Sequence, residues 1–136
     1  MARSNAGHDP MTREEMIEKA GMVTREDMEL VLENAGEIER KSSRGPLAAV
    51  LGDVKQLVSL VRDFLSGRYR TIPRWIAGAA AVALLYVLNP FDVVPDMIPA
   101  LGYVDDAFVI GLCLSMVRKD LRKYEAWKHP AGNDPS

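Results

Sequence analysis

Two apolar segments, Trp75 to Leu88 and Ala107 to Val117, are joined by a stretch that cannot continue either of them as a helix. It reads Asn89-Pro90-Phe91-Asp92-Val93-Val94-Pro95-Asp96-Met97-Ile98-Pro99-Ala100-Leu101-Gly102-Tyr103-Val104-Asp105-Asp106. Each proline lacks a backbone donor and disfavours helix at the residue before it, so no single helix runs from Trp75 to Val117. The pattern predicts a short apolar helical hairpin. Its turn is defined by Pro90, Pro95, Pro99 and Gly102 and carries four carboxylates, Asp92, Asp96, Asp105 and Asp106.

The segment before the hairpin is periodic at helical spacing. Leu47, Val50, Leu51, Val54, Leu57, Val58, Val61, Phe64 and Leu65 make one broad stripe, with Asp53, Lys55, Gln56, Arg62 and Asp63 mostly off it and Gly67 as the stop. A face this wide predicts an amphipathic helix packed on the hairpin. Further upstream, Thr12-Arg13-Glu14-Glu15-Met16 recurs as Thr24-Arg25-Glu26-Asp27-Met28. In both, threonine stands three positions before an acid, the arrangement of a capping box at a helix start. Met28, Val31, Leu32, Ala35 and Ile38 then continue one narrow apolar face, and Gly21 is the expected stop of the first helix. The cluster 39–46, Glu-Arg-Lys-Ser-Ser-Arg-Gly-Pro, reads as a linker. The expected fold is all-α: a helical N-terminal arm over 1–44 with a flexible start, a helical domain over 45–128 and a disordered tail over 129–136. The arm is expected to pack on the rest of the chain.

A net charge of -2 and a pI near 5.7 argue against nucleic-acid binding, which calls for a basic domain or stripe that releases phosphate counterions. Cys113 is the single cysteine and lies in an apolar run, so it reads as a small buried hydrophobe in a reducing environment. His8 and His129 lie near the chain ends and no EF-hand spacing occurs, so no zinc or calcium site is expected from those patterns. No secretory leader is expected either.

Both outer ends of the hairpin are basic and aromatic. Arg68, Arg70, Arg74 and Trp75 precede the first apolar segment, and Arg118, Lys119, Arg122, Tyr124 and Trp127 follow the second. Such residues reach phosphates and occupy the interfacial zone of a bilayer, and the positive-inside tendency would put both ends on the cytoplasmic side. The competing reading of the first is a basic turn leading into a buried helix, with Pro73 near the helix start. Length argues against comfortable insertion. The residues from Trp75 to Leu88 rise about 21 Å as a helix, against a hydrocarbon core of about 30 Å. Their insertion would gain only about 3 kcal/mol, roughly the cost of one aspartate at the bilayer centre. Three outcomes stay open: a hairpin that barely spans as a transmembrane element, one that dips in, and one that forms the core of a soluble helical bundle.

The four aspartates stand in or just before turns and helix starts, where carboxylates accept unpaired backbone donors, so capping is their first reading. A cation- or proton-linked site and pairing with Arg or Lys of the same chain are the alternatives.

The run from Tyr86 to Asp106 closely resembles the signature of the bacterial YkvA-like family, a domain of unknown function. That signature is Tyr, three residues, Pro-x-Asp, two residues, Pro-Asp-x-Ile-Pro, two residues, Gly, two residues, Asp-Asp, and every position of it is present here. The resemblance extends over roughly Leu47 to Lys128 and leaves out the N-terminal arm. It implies a small membrane protein with a short hydrophobic hairpin, similar to a module found beside membrane-spanning helices in some eukaryotic ubiquitin ligases. It implies no catalytic residue and no cofactor.

The expectation is therefore a non-enzymatic, membrane-associated helical module that contacts lipid and recruits a protein partner through 24–38 or 47–65. The alternatives are an enzyme or transporter subunit with an ion or proton site at the aspartates, and a soluble cytoplasmic oligomerisation protein.

Overall fold

The computed structural model describes residues 11–88 and 106–129, and for Asp106 the backbone alone. Among these the chain is all-α: α1 (Arg13–Met22), α2 (Arg25–Glu33), α3 (Ala35–Ser42), a 3-10 helix (Gly45–Val50), α4 (Leu51–Leu65), α5 (Arg74–Leu88) and α6 (Asp106–Lys128). The turn expected between the last two, with Pro90, Pro95, Pro99, Gly102, Asp92, Asp96 and Asp105, lies outside the described residues.

Both threonine-led starts form capping boxes. The Glu15 and Asp27 backbone N–H groups each donate 3.1 Å to the threonine hydroxyl three residues back, and each acid accepts in return from the threonine N–H at 2.9 Å. The helix begun at Thr24 does not run through to Ile38 as expected. Asn34 interrupts it with φ -110° and ψ 19°, and its side-chain amide donates 2.9 Å back to the Leu30 carbonyl. Asparagine competes with the helix ladder in this way. The interruption re-aims the chain while Met28, Val31 and Ile38 all stay buried. The linker expected over 39–46 is also corrected in its first half: α3 continues to Ser42, whose hydroxyl bonds the Ile38 carbonyl at 2.8 Å, and Ile38 anchors the helix in the core. Beyond it, Gly45 takes a positive φ of 69° and Pro46 enters the 3-10 helix, so the stripe expected as one helix from Leu47 begins in that tighter coil and becomes α-helical at Leu51.

α4 ends in a Schellman motif. Arg68 N–H donates 2.9 Å to the Asp63 carbonyl, Gly67 N–H donates 3.1 Å to that of Phe64, and Gly67 has φ 87°. That conformation is nearly free of penalty for glycine alone.

α5 lies at the centre. Every residue from Ile76 to Val87 is buried, and α1, α2, α3, α4 and α6 all pack against it. Its small residues Ala77, Gly78, Ala79, Ala80, Ala81 and Ala83 let neighbours approach closely, most of all α1. A methyl group at Gly78 would overlap the Ala20 carbonyl of α1. At its far end α5 is capped from a distance, where Lys41 Nζ of α3 donates 2.7 Å to the Leu88 carbonyl. A cation there complements the helix dipole.

α6 is longer than the apolar run that announces it. Its 23 residues extend about 34 Å, and Val109, Ile110, Cys113, Leu114, Val117, Leu121 and Tyr124 line one buried stripe through the segment expected as a basic shoulder. No helix among the described residues is long and apolar enough to cross a membrane.

Candidate functional site

One end of the bundle gathers most of the basic and aromatic residues singled out above. The loop 66–73 turns α4 into α5 there, and Arg74 Nη2 donates 2.5 Å to the Val23 carbonyl, which brings the α1–α2 turn alongside. Arg68, Arg70 and Arg74 are exposed and Trp75 is half-buried. Arg70 is held by its own helix end: Nε donates 3.0 Å to the Phe64 carbonyl and the guanidinium lies 5.2 Å from the Phe64 ring centroid. The C-terminal end of α6 reaches the same place, since Trp127, 42% exposed, lies 4.8 Å from the Tyr69 ring.

Beneath this surface is a polar network. Asp63 is 1% exposed, and its Oδ2 accepts from the Tyr124 hydroxyl at 2.6 Å and from Lys128 Nζ at 3.2 Å, while Arg68 Nε stands 3.7 Å from Oδ1. Ser59 closes the ring, bonded to the Tyr124 hydroxyl and accepting from Lys128 Nζ at 2.5 Å. Tyr69 meets the Tyr124 ring edge-on at 5.1 Å. Because Asp53 faces Arg118 at 3.4 Å and Asp63 faces Lys128, α4 and α6 run side by side in the same direction.

The electrostatics follow from these partners. Burial pushes the Asp63 carboxyl up, but hydrogen bonds from Tyr124 and Lys128 and the charges of Lys128 and Arg68 outweigh it and hold the group below the usual carboxylate range. Burial and the bond to Asp63 push the Tyr124 phenol up. Burial draws the Lys128 ammonium down, and Tyr124 and Asp63 more than restore it, leaving it raised. An ionised carboxylate with these donors is a poor proton acceptor at neutral pH, so the network fastens α6 to α4 and the α4–α5 loop.

The residues expected at the two hairpin shoulders are thus only partly brought together. Arg68, Arg70, Arg74 and Trp127 share the end just described, whereas Arg118, Lys119 and Arg122 lie on the exposed face along α6. Tyr124 is 1% exposed, with its hydroxyl turned inward to Asp63. Of the four turn aspartates, Asp92, Asp96 and Asp105 lie outside the described residues, and Asp106 opens α6. Among the described residues no group of three or more His, Cys, Asp or Glu could hold a metal ion. Asp63 itself is hidden from sequence patterning, which leaves it among the outward polar residues of α4. The available signal is a pair of one-turn spacings, Ser59 with Asp63 and Tyr124 with Lys128, that put polar groups on facing stripes of two helices.

Comparison with known proteins adds a family likeness. Residues 77–112 match a family described as a protein of unknown function, DUF1232. The chain is 36% identical over 69 residues to a protein of Bacillus subtilis (strain 168) named "Uncharacterized membrane protein YkvA". That match takes in 51% of this chain and 65% of the relative. No solved structure matches the chain.

Proposed function

From a chain that carries a YkvA-like domain of unknown function, we infer a non-enzymatic helical module that attaches to the surface of a membrane by the end of the bundle bearing Arg68, Arg70, Arg74 and Trp127. The observation that carries this reading is how the chain uses its most apolar helix. All residues of α5 from Ile76 to Val87 are covered by protein, so α5 offers no face to lipid, while arginines and an exposed tryptophan cluster where α5 begins. Arginine reaches lipid phosphates and tryptophan occupies the headgroup zone, a combination that favours lying on a bilayer over crossing it. The relative's description as a membrane protein supports the same reading. Basic residues favour the cytoplasmic leaflet, whose anionic lipids attract about 1 kcal/mol per Lys or Arg near the surface. The outer face of α2, where Leu30 is exposed, is the surface within 24–38 left for a protein partner.

Vesicle co-sedimentation tests this. The chain is expected to bind vesicles containing anionic phosphatidylglycerol, to leave them as salt rises to about 0.5 M, and to be released from cell membranes by carbonate without detergent. Removing the three arginines together, by Arg68→Gln, Arg70→Gln and Arg74→Gln, is expected to weaken binding by at least about tenfold. Retention through the carbonate wash would sink the surface reading.

A further inference from the structure

The arginine-bearing end contains a recess of about 180 Å³ lined by Arg25, Met28, Phe64, Leu65, Arg70 and Arg74. We propose that it is a receptor for one phosphate monoester, with Arg25 of α2 as the third guanidinium beside Arg70 and Arg74. The proposal rests on the membrane-surface reading for the source of that phosphate, a lipid headgroup.

Three features argue for an anion and a fourth for hydrocarbon beside it. Three cationic side chains from three different parts of the chain converge on a single recess. No carboxylate of the described residues lies within ion-pairing distance of Arg70 or Arg74, and Arg25 meets only Glu29, at 3.4 Å and well exposed, an ion pair that contributes little and yields readily to a stronger anion. Two of the three guanidiniums are held in place by backbone carbonyls through one nitrogen each, Arg70 Nε on Phe64 and Arg74 Nη2 on Val23, and their remaining N–H groups are left as donors. Pre-positioned forks of this kind suit the two-point recognition of phosphate oxygens. The lining is also apolar between the arginines: Met28 is buried and Phe64 and Leu65 are half-buried, so a ligand with hydrocarbon next to its phosphate gains more there than a bare ion. A monoester carries a charge of about -1.5 to -2 and three free oxygens, which matches three arginines better than the single charge of a diester.

Binding of the full chain is measured to phosphatidylcholine vesicles doped with phosphatidic acid or with phosphatidylglycerol at matched surface charge, and thermal melting is followed with inorganic phosphate. Phosphatidic acid is expected to bind about tenfold tighter than phosphatidylglycerol, a preference lost in Arg25→Gln, reduced in Arg25→Lys and kept in Arg13→Gln, which removes the same charge from the start of α1, outside the recess lining. Saturating inorganic phosphate is expected to raise the wild-type Tm by about 4 °C more than that of Arg25→Gln. A Tm raised by phosphate without vesicle binding would leave the recess a site for a soluble phosphate compound and overturn the membrane reading. Vesicle binding without a phosphatidic-acid preference, weakened equally by Arg25→Gln and Arg13→Gln, overturns the recess and leaves diffuse attachment. The wild-type phosphate melt needs no variant, and an unchanged Tm together with absent lipid preference refutes the proposal.

Discussion

Asp63 occupies a position where a carboxylate is costly unless fully partnered, and three side chains partner it. Its folded-state pKa is depressed, so its contribution to stability is complete above the unfolded value, near 4, and is lost as pH falls through the lower folded value. Wild-type denaturant midpoints are therefore expected to fall more steeply between pH 5 and pH 2 than those of Asp63→Asn. Tyr124→Phe removes the 2.6 Å bond to this carboxylate and is expected to cost about 2 kcal/mol at neutral pH by chemical denaturation. Tyr86 presents the opposite case. Its hydroxyl is buried without a hydrogen-bond partner among the described residues, and burial, with the charge of Glu15 beside it, pushes its pKa up to about 12. Deleting an unpartnered polar atom relieves a desolvation cost, so Tyr86→Phe is expected to match or exceed wild-type stability. A loss above about 1 kcal/mol would mean that the hydroxyl has a partner after all.

At the scale of elements, α1 crosses α5 closely enough to leave no room for a side chain at the contact. Gly78 permits it because an added methyl would lie 3.1 Å from the Ala20 carbonyl carbon and closer still to its oxygen, both of them backbone atoms that move only with their helix. Gly78→Ala is accordingly expected to destabilise by about 2 kcal/mol despite the better helix propensity of alanine. Gly52→Ala, at an exposed site in the first turn of α4 with nothing nearby, is the matched control and is expected to be neutral or to stabilise by about 0.5 kcal/mol. Urea melts of the pair separate packing from propensity. If both variants behave alike, the close crossing does not exist in solution.

For the whole molecule, the consequence of a central α5 is that its neighbours are protected together. Cys113 on α6 is buried against α5, its thiol 3.5 Å from the Ala79 carbonyl, and burial pushes its pKa up to about 12. Such a thiol reacts only through opening of the bundle. Its labelling rate is expected to be at least about a thousandfold below that of the unfolded chain, and to rise with urea in parallel with global unfolding. Rapid labelling under native conditions would show that α6 separates from α5 without the rest of the fold.

Several elements are legible in the residues alone because their causes are local. Thr12 with Glu15 and Thr24 with Asp27 cap helices with their own side chains, and Gly67 supplies the positive φ that stops α4. The interruption at Asn34, the 3-10 start of the Leu47 stripe and the helical end of α3 were less visible, since each weighs a weak local preference against burial that depends on neighbours distant in sequence. What covers α5 is decided wholly by tertiary structure. An apolar helix of this length reads the same whether lipid or protein surrounds it, and only the packing of five other helices on its small residues makes the answer protein. The same holds for Asp63, Tyr124 and Lys128: hydrogen bonding and charge act over a few ångströms in space, and residues some sixty positions apart become one network only when α4 and α6 lie side by side.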